Sequence, residues 1–100
     1  KGTKMANWEG GIRVNAFVSG GLIAKEFPKM VGKKLEGYVS VADYYATCAA
    51  IAGVDPTDHS AAAAGLPPID SLNMWPYFTG AVDESPRTEV CYNRMMSGVP

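Results

Sequence analysis

The sequence predicts an α/β fold, and three segments lead to that prediction. Apolar side chains recur at every second position of residues 12–18, the period that is typical of a β-strand. Residues 41–52 repeat apolar side chains at the i, i+3, i+4, i+7 spacing of an amphipathic helix. Residues 88–92 combine threonine, valine and tyrosine, which favour strands. Strands on either side of a helix indicate an α/β arrangement.

Glycines bound the first predicted strand, residues 12–18. Gly10 and Gly11 permit backbone angles that other residues avoid, so they end the preceding turn, and Gly20 lies in the Ser-Gly-Gly run that stops the strand. Phe17 adds an apolar side chain to the second face, so we expect this strand to be covered on both sides. Two strands alone make a marginal sheet. The strand therefore requires neighbours that this chain does not supply.

The helix predicted at residues 41–52 has favourable signals at both ends. Ser40 is a preferred N-cap residue, and Asp43 three residues later completes a capping-box pattern. Gly53 suits the left-handed position that ends many helices, and Pro56 follows it. We expect the apolar side chains of this helix, its tyrosines included, to face the core.

A short broken helix is predicted at residues 71–79. Asp70 or Ser71 can cap its start, and Pro76 interrupts it because proline has no backbone N–H to donate. The lysines at positions 25, 29, 33 and 34 are interleaved with Glu26 and Glu36, so we interpret residues 25–36 as a solvated connection and not as an anion-binding patch.

The composition excludes several classes of protein. One hundred residues allow one small domain or a piece of a larger one, and the hydrophobic fraction of 47% is that of a globular chain. A net charge of −1 gives no electrostatic reason to expect nucleic acid as a partner. No apolar run approaches the roughly 20 residues of a membrane span. No secretion signal is visible, so the cellular compartment stays open.

The metal-ligating and thiol side chains are few and form no pattern. His59 is the one histidine, and we expect it in an exposed loop. Cys48 and Cys91 have neither metal-ligand spacing nor a disulfide framework around them. We expect two buried thiols, because cysteine packs as a small hydrophobic residue. A bridge between them remains possible.

Lys4 is the strongest candidate for chemistry. It precedes the turn formed by Trp8, Glu9 and two glycines, and the turn leads into the predicted strand. Ligand sites of α/β proteins lie at such sheet rims, and an ammonium group suits an oxyanion because it is a compact cation with three donors. On local chemistry alone, an exposed surface lysine beside a turn is the favoured interpretation, because most lysines are solvated.

Four segments stand in this order along the chain: Lys4 with Trp8-Glu9-Gly10-Gly11-Ile12-Arg13; Ser40-Val-Ala-Asp43-Tyr-Tyr-Ala-Thr47; Asp70-Ser-Leu-Asn-Met-Trp-Pro-Tyr-Phe-Thr-Gly80; and Ser85-Pro-Arg-Thr-Glu89. In the same order they resemble the K-x-x-x-W/Y-E-G-G-V/I-R, S-x-x-D-I/L-x-P-T, D-G-x-S/D-L-x-P-L-L-x-G and S-P-R segments of the sulfatase family, the arylsulfatases of the alkaline phosphatase superfamily. Among the departures from that pattern, Ala46 stands where the family has proline, and Ser71 where it has glycine.

The resemblance implies a catalytic set of which this chain holds one member. It implies that Lys4 contacts a sulfate oxygen, as both a catalytic and a substrate-binding residue. It also implies a formylglycine nucleophile made in a C/S-x-P-x-R motif, and a calcium ion held by carboxylates and an amide. Neither cysteine stands in such a motif, and no Asp-Asp pair is present, so both groups are expected outside this chain.

Three further motif residues lie in the turn or directly after it. Glu9 and Arg13 suit an ion pair or hydrogen bonds that fix the turn after Lys4, which is a supporting task. Trp8 faces an aryl or sugar substrate, or it packs beside the strand. No metal ligand is assigned to this chain.

We therefore expect this chain to function as one part of a larger enzyme. We expect residues 1–100 to be a C-terminal portion of a sulfatase domain, not a complete domain, with an alkaline-phosphatase-like fold. Its partners are the remainder of the parent chain and a sulfate ester substrate. Two alternatives stay open: a non-catalytic subunit that keeps a sulfatase segment, and a phosphoester or phosphonate hydrolase of the same superfamily.

Overall fold

The computed structural model describes residues 8–91, which form short helices joined by long connections. In chain order the helices are α1 (Glu9–Ile12), α2 (Gly21–Glu26), α3 (Asp43–Ala52), α4 (His59–Ala63) and α5 (Trp75–Phe78), with a 3-10 turn at Pro28–Met30 after α2. The longest, α3, has ten residues. No helix within these residues is long and apolar enough to cross a membrane.

The prediction of an α/β fold is wrong for this part of the chain, because residues 8–91 contain no strand. Residues 13–19 and 88–91 have no regular structure, and Tyr92, the end of the second predicted strand, lies outside the described residues. A strand exists through hydrogen bonds to a neighbour, and within residues 8–91 no backbone hydrogen bond joins residues 14–19 or 88–90 to another segment. The side chains of Val14 and Phe17 are accordingly 76% and 87% exposed.

Helix α3 lies within the predicted range and begins two residues later. The Asp43 carboxylate accepts a hydrogen bond from the Ser40 N–H at 2.7 Å, which is the acidic half of a capping box. At the other end, Gly53 has a φ of +68°, and the Val54 N–H bonds back to the Ala49 carbonyl at 2.9 Å. Only glycine adopts this left-handed backbone without strain, so Gly53 ends the helix.

The face of α3 that is buried is not the apolar face that the spacing predicts. The predicted core residues Tyr45, Cys48 and Ile51 are exposed, and the buried residues are Asp43, Ala46 and Thr47. Cys91 is also exposed, so the expectation of two buried thiols is wrong. Alanines and aromatic residues cover most of α3, so apolar spacing distinguished its faces poorly. Hydrogen bonds to Asp43 and Thr47 determine which face packs inward.

The broken helix predicted at residues 71–79 is present as the shorter α5. The Asn73 side chain accepts from the Trp75 N–H at 2.9 Å, and Pro76 occupies the first turn, where no N–H is needed. Helix α5 packs against α3. The rings of Trp75 and of Phe27, which follows α2, lie nearly perpendicular with their centroids 5.8 Å apart. Of the described apolar residues, Ala46, Met74 and Tyr77 are buried.

Tyr77 connects α5 to the loop before α3. Its hydroxyl accepts a hydrogen bond from the Gly37 N–H at 2.7 Å. A Cβ atom at position 37 would lie 2.6 Å from the Ser85 Cβ and 2.7 Å from the Tyr77 oxygen, closer than real Cβ contacts allow. Glycine is therefore required at position 37 for the loop to approach α5.

Candidate functional site

The residues predicted to form the site lie at the described N-terminal end, and the structure places three of them. Lys4 lies outside the described residues. Trp8 is 69% exposed, and the described residues contain no strand for it to pack beside. Its carbonyl accepts hydrogen bonds from the Gly11 and Ile12 N–H groups at the start of α1. Glu9 is the first residue of α1, and Arg13 follows its last.

Arg13 lies between two carboxylates. Its guanidinium donates to Glu9 at 3.3 Å and to Glu36 at 3.1 Å. Glu36 in turn pairs with the Lys34 ammonium at 2.7 Å. The hydrogen bond from Lys34, with the positive charge of Arg13 adding to it, lowers the pKa of Glu36 below its usual range. All four side chains are exposed, so this chain of ion pairs holds the turn at the surface.

A second cluster lies in the interior, where Asp43 and Arg87 form a two-bonded ion pair. The Arg87 Nε and Nη2 atoms each donate to one oxygen of the Asp43 carboxylate, both at 2.7 Å. Asp43 is fully buried and Arg87 is 9% exposed. The planar fork of a guanidinium matches the two oxygens of a carboxylate, which makes this the strongest type of side-chain hydrogen bond. Forty-four residues separate the partners.

Further donors surround the pair. The Ser40 and Leu72 N–H groups donate to Asp43 at 2.7 and 3.0 Å, and Arg87 also donates to the Asp70 carboxylate at 3.2 Å. Burial alone raises the pKa of Asp43, but the hydrogen bonds from Arg87 and from the two backbone N–H groups outweigh it and lower that pKa. Asp43 is thus a carboxylate at neutral pH, with both oxygens fully paired.

Hydroxyl groups connect the cluster to its surroundings. The Thr47 hydroxyl donates to the Asp43 carbonyl at 2.6 Å and accepts from the Met74 N–H at 2.9 Å. The Ser85 hydroxyl donates to the Tyr38 carbonyl at 2.6 Å. Within residues 8–91 every buried side-chain nitrogen or oxygen has a hydrogen-bond partner. The buried polar atoms of the cluster are thus all paired, and their hydrogen bonds hold the segments together.

Two of the departures from the sulfatase pattern, Ala46 and Ser71, contact each other. The Ser71 hydroxyl accepts from the Ala46 N–H at 2.9 Å and donates to the Ala42 carbonyl at 2.6 Å. It thus bridges the donor and acceptor that an i→i−4 helix bond would join directly. Proline at position 46 has no N–H, and glycine at position 71 has no hydroxyl. Alanine at position 46 adds a backbone N–H donor and serine at position 71 adds a hydroxyl acceptor, and these two groups form a hydrogen bond.

We expect Ser71→Gly to destabilise the chain by about 1–2 kcal/mol, because it leaves the buried Ala46 N–H unpaired. We expect Ala46→Pro to cost less in the Ser71→Gly background than alone, since the unpaired N–H is then absent. Urea unfolding of the four variants, followed by far-UV circular dichroism, measures this coupling. Strictly additive losses would show that the two positions are independent.

The described residues contain no set of metal ligands. No group of three or more His, Cys, Asp or Glu side chains within residues 8–91 is arranged to hold a metal ion. His59 lies at the start of α4, not in a loop as predicted, and its exposed ring is 3.5 Å from the Asp55 carboxylate.

Sequence reasoning named the segments of the buried cluster but not their contact. Asp43 was assigned to a helix cap, and Arg87 only to a motif match. A buried aspartate that is also a cap residue has no sequence pattern of its own. The one sequence feature that connects Asp43 with Arg87 is that both lie in segments of the same family pattern. Glu36 was interpreted only as part of a solvated stretch, and nothing local indicated its contact with Arg13.

Comparison with known proteins adds no relative. No family model, no curated protein and no solved structure matches this chain. The family resemblance therefore depends on the four motif segments alone.

Proposed function

We propose that this chain is part of a sulfuric-ester hydrolase of the arylsulfatase type and contributes a sulfate-binding lysine, Lys4. The observation that supports the proposal best is the meeting of three motif segments in one cluster. Asp43, Asp70 and Arg87 come one from each of these segments, and they are joined by hydrogen bonds of 2.7–3.2 Å. Unrelated runs that matched a pattern by chance would have no reason to meet at their charged positions.

The paired departures support the same proposal. Ala46 and Ser71 are two of the positions at which the sequence differs from the pattern, and they form a hydrogen bond with each other. A compensated pair of changes is what an inherited contact produces, whereas accidental matches leave such differences uncorrelated.

The exposed apolar side chains favour a part of a larger domain. Sixteen large hydrophobic residues among those described are exposed, against three buried apolar ones. Tyr45, Ile51 and Val54 contribute to this surface along α3 and just after it. A soluble monomer rarely exposes so much apolar surface. We propose that the remainder of the parent chain covers it and supplies the nucleophile and the calcium ligands.

In the proposed mechanism Lys4 acts by charge. Its ammonium group donates hydrogen bonds to a sulfate oxygen, and these strengthen as negative charge moves onto the oxygens of the leaving ester. The formylglycine and calcium that the family implies would supply the nucleophile and a second positive centre from outside this chain. Glu9 and Arg13 keep the turn after Lys4 in place and do not touch the substrate.

We expect the full parent chain, assayed with calcium, to hydrolyse an aryl sulfate faster than the matching aryl phosphate. Its sequence before Lys1 should contain a C/S-x-P-x-R motif and paired aspartates. A parent that lacks both would refute the enzyme and leave the non-catalytic subunit. Faster phosphate turnover would instead favour the phosphoester hydrolase. The assay needs only initial rates with the two substrates at equal concentration.

A further inference from the structure

One hydrogen bond joins the turn at residues 8–13 to the rest of the described chain. Among residues 8–91, the hydrogen bond between Arg13 Nη2 and Glu36 Oε2, at 3.1 Å, is the one that joins residues 8–19 to any residue beyond 19. The other bonds of the turn are local: the Trp8 carbonyl accepts from residues 11 and 12, and Glu9 pairs with Arg13. The position of α1 therefore depends on Glu36.

Glu36 is itself held on both sides. One of its carboxylate oxygens accepts from Arg13 and the other from Lys34, at 2.7 Å. The next residue, Gly37, donates its N–H to the buried Tyr77 hydroxyl at 2.7 Å. A Cβ at position 37 would collide with Tyr77 and Ser85, so this backbone packs directly against α5, and the bond to Tyr77 ties it there. Glu36 is thus an exposed carboxylate on a firmly anchored backbone.

We propose that Glu36 is a positioning residue for Lys4: through Arg13 it fixes the turn at residues 8–13, which Lys4 precedes by four residues. This inference rests on the proposed function, because it assigns Glu36 a role toward the same sulfate site. Glu36 lies outside the four motif segments, so the family pattern gives it no role. Its placement next to Gly37 and its pairing with Arg13 give it one.

The size of the effect follows from the exposure of the pair. A single exposed ion pair shifts an equilibrium by a factor of up to about five, and a connected set of charges performs better than an isolated pair. Here Arg13 has two carboxylate partners and Glu36 has two cationic ones. Loss of Glu36 should therefore loosen the turn without unfolding the chain.

The first experiment tests, in this chain, whether Glu36 holds the turn at residues 8–13 in place. We expect Glu36→Gln to speed hydrogen–deuterium exchange of the Gly11, Ile12 and Arg13 amides about threefold to fivefold, the range that an exposed ion pair allows. Glu26→Gln is the matched control, since Glu26 pairs with Lys25 at 3.4 Å in a bridge that does not reach the turn. Equal exchange in the two variants would overturn the anchoring role.

The second experiment measures the role toward Lys4 in the full parent enzyme with an aryl sulfate. We expect Glu36→Gln to lower kcat and kcat/KM together, about threefold to fivefold, with KM unchanged. Glu36→Asp, which keeps the charge, should restore part of the rate. In a Lys4→Ala background Glu36→Gln should cost nothing further.

The outcomes separate the two proposals. An equal loss with and without Lys4 would mean that Glu36 acts only on stability, and the positioning role would be refuted. A parent without sulfate turnover would refute the proposed function, and with it any role toward Lys4. The exchange experiment would still decide whether Glu36 anchors the turn.

Discussion

Replacing Arg87 with alanine is expected to destabilise the chain by about 3–5 kcal/mol, the cost of leaving a buried charge without its partner. Asp43 is fully buried, and Arg87 supplies two of its four hydrogen bonds. The remaining donors, the N–H groups of Ser40 and Leu72, cannot neutralise its charge. Loss of the helical circular dichroism signal at lower urea concentration measures the change.

Arg13→Ala provides the matched control for this prediction. Arg13 also pairs with two carboxylates, but its side chain is exposed, so the expected cost is at most about 1 kcal/mol. Removing both buried charges, with Asp43→Asn and Arg87→Met together, should cost less than Arg87→Ala alone, because no unpaired charge remains. If Arg87→Ala and Arg13→Ala destabilise equally, the ion pair is not the centre of this structure.

Lys4→Ala in the full parent enzyme is expected to lower kcat for an aryl sulfate by a factor of about 10²–10³, the usual effect of losing one charge-stabilising donor. The loss should appear in kcat more than in KM, because the ammonium contacts strengthen as the charge moves. Initial rates over a range of substrate concentrations separate the two parameters.

Lys33→Ala is the control for this second prediction. Lys33 is an exposed lysine of the solvated stretch, and no ion pair involves it among the described residues. It removes the same charge from the chain and should leave turnover unchanged. A Lys4→Ala enzyme that retains full sulfate turnover would remove Lys4 from the mechanism, whatever the fate of the remaining motif residues.

Local rules predicted α3 because its boundaries are determined within a few residues. Asp43 bonds back to Ser40, and Gly53 takes a backbone angle that ends the helix, so nothing distant is needed. The predicted strands failed for the opposite reason. The alternation at residues 12–18 is typical of a segment suited to a sheet, but a strand needs a partner backbone, and among the described residues no backbone hydrogen bond joins Val14 or Phe17 to one.

The site was predictable in its members and not in its contacts. Motif order indicated Arg87 and Asp43 separately, whereas their ion pair spans 44 residues and depends on how the loop before α5 folds back. Burial was also predicted on the wrong face of α3. The apolar pattern indicates which face of α3 could pack in a core. The buried face is instead the one that carries the hydrogen-bonded side chains of Asp43 and Thr47.

The Asp43–Arg87 pair has a consequence for alignment of the chain. Apolar side chains pack in many registers with similar energy, but a guanidinium fork meets both oxygens of a carboxylate only in one plane and at one distance. A shift of the 85–91 segment by one residue would place Pro86 or Thr88 opposite Asp43 and leave a buried charge unmatched. The pair therefore specifies the register of residues 85–91 against α3, because registers shifted by one residue in either direction lose it.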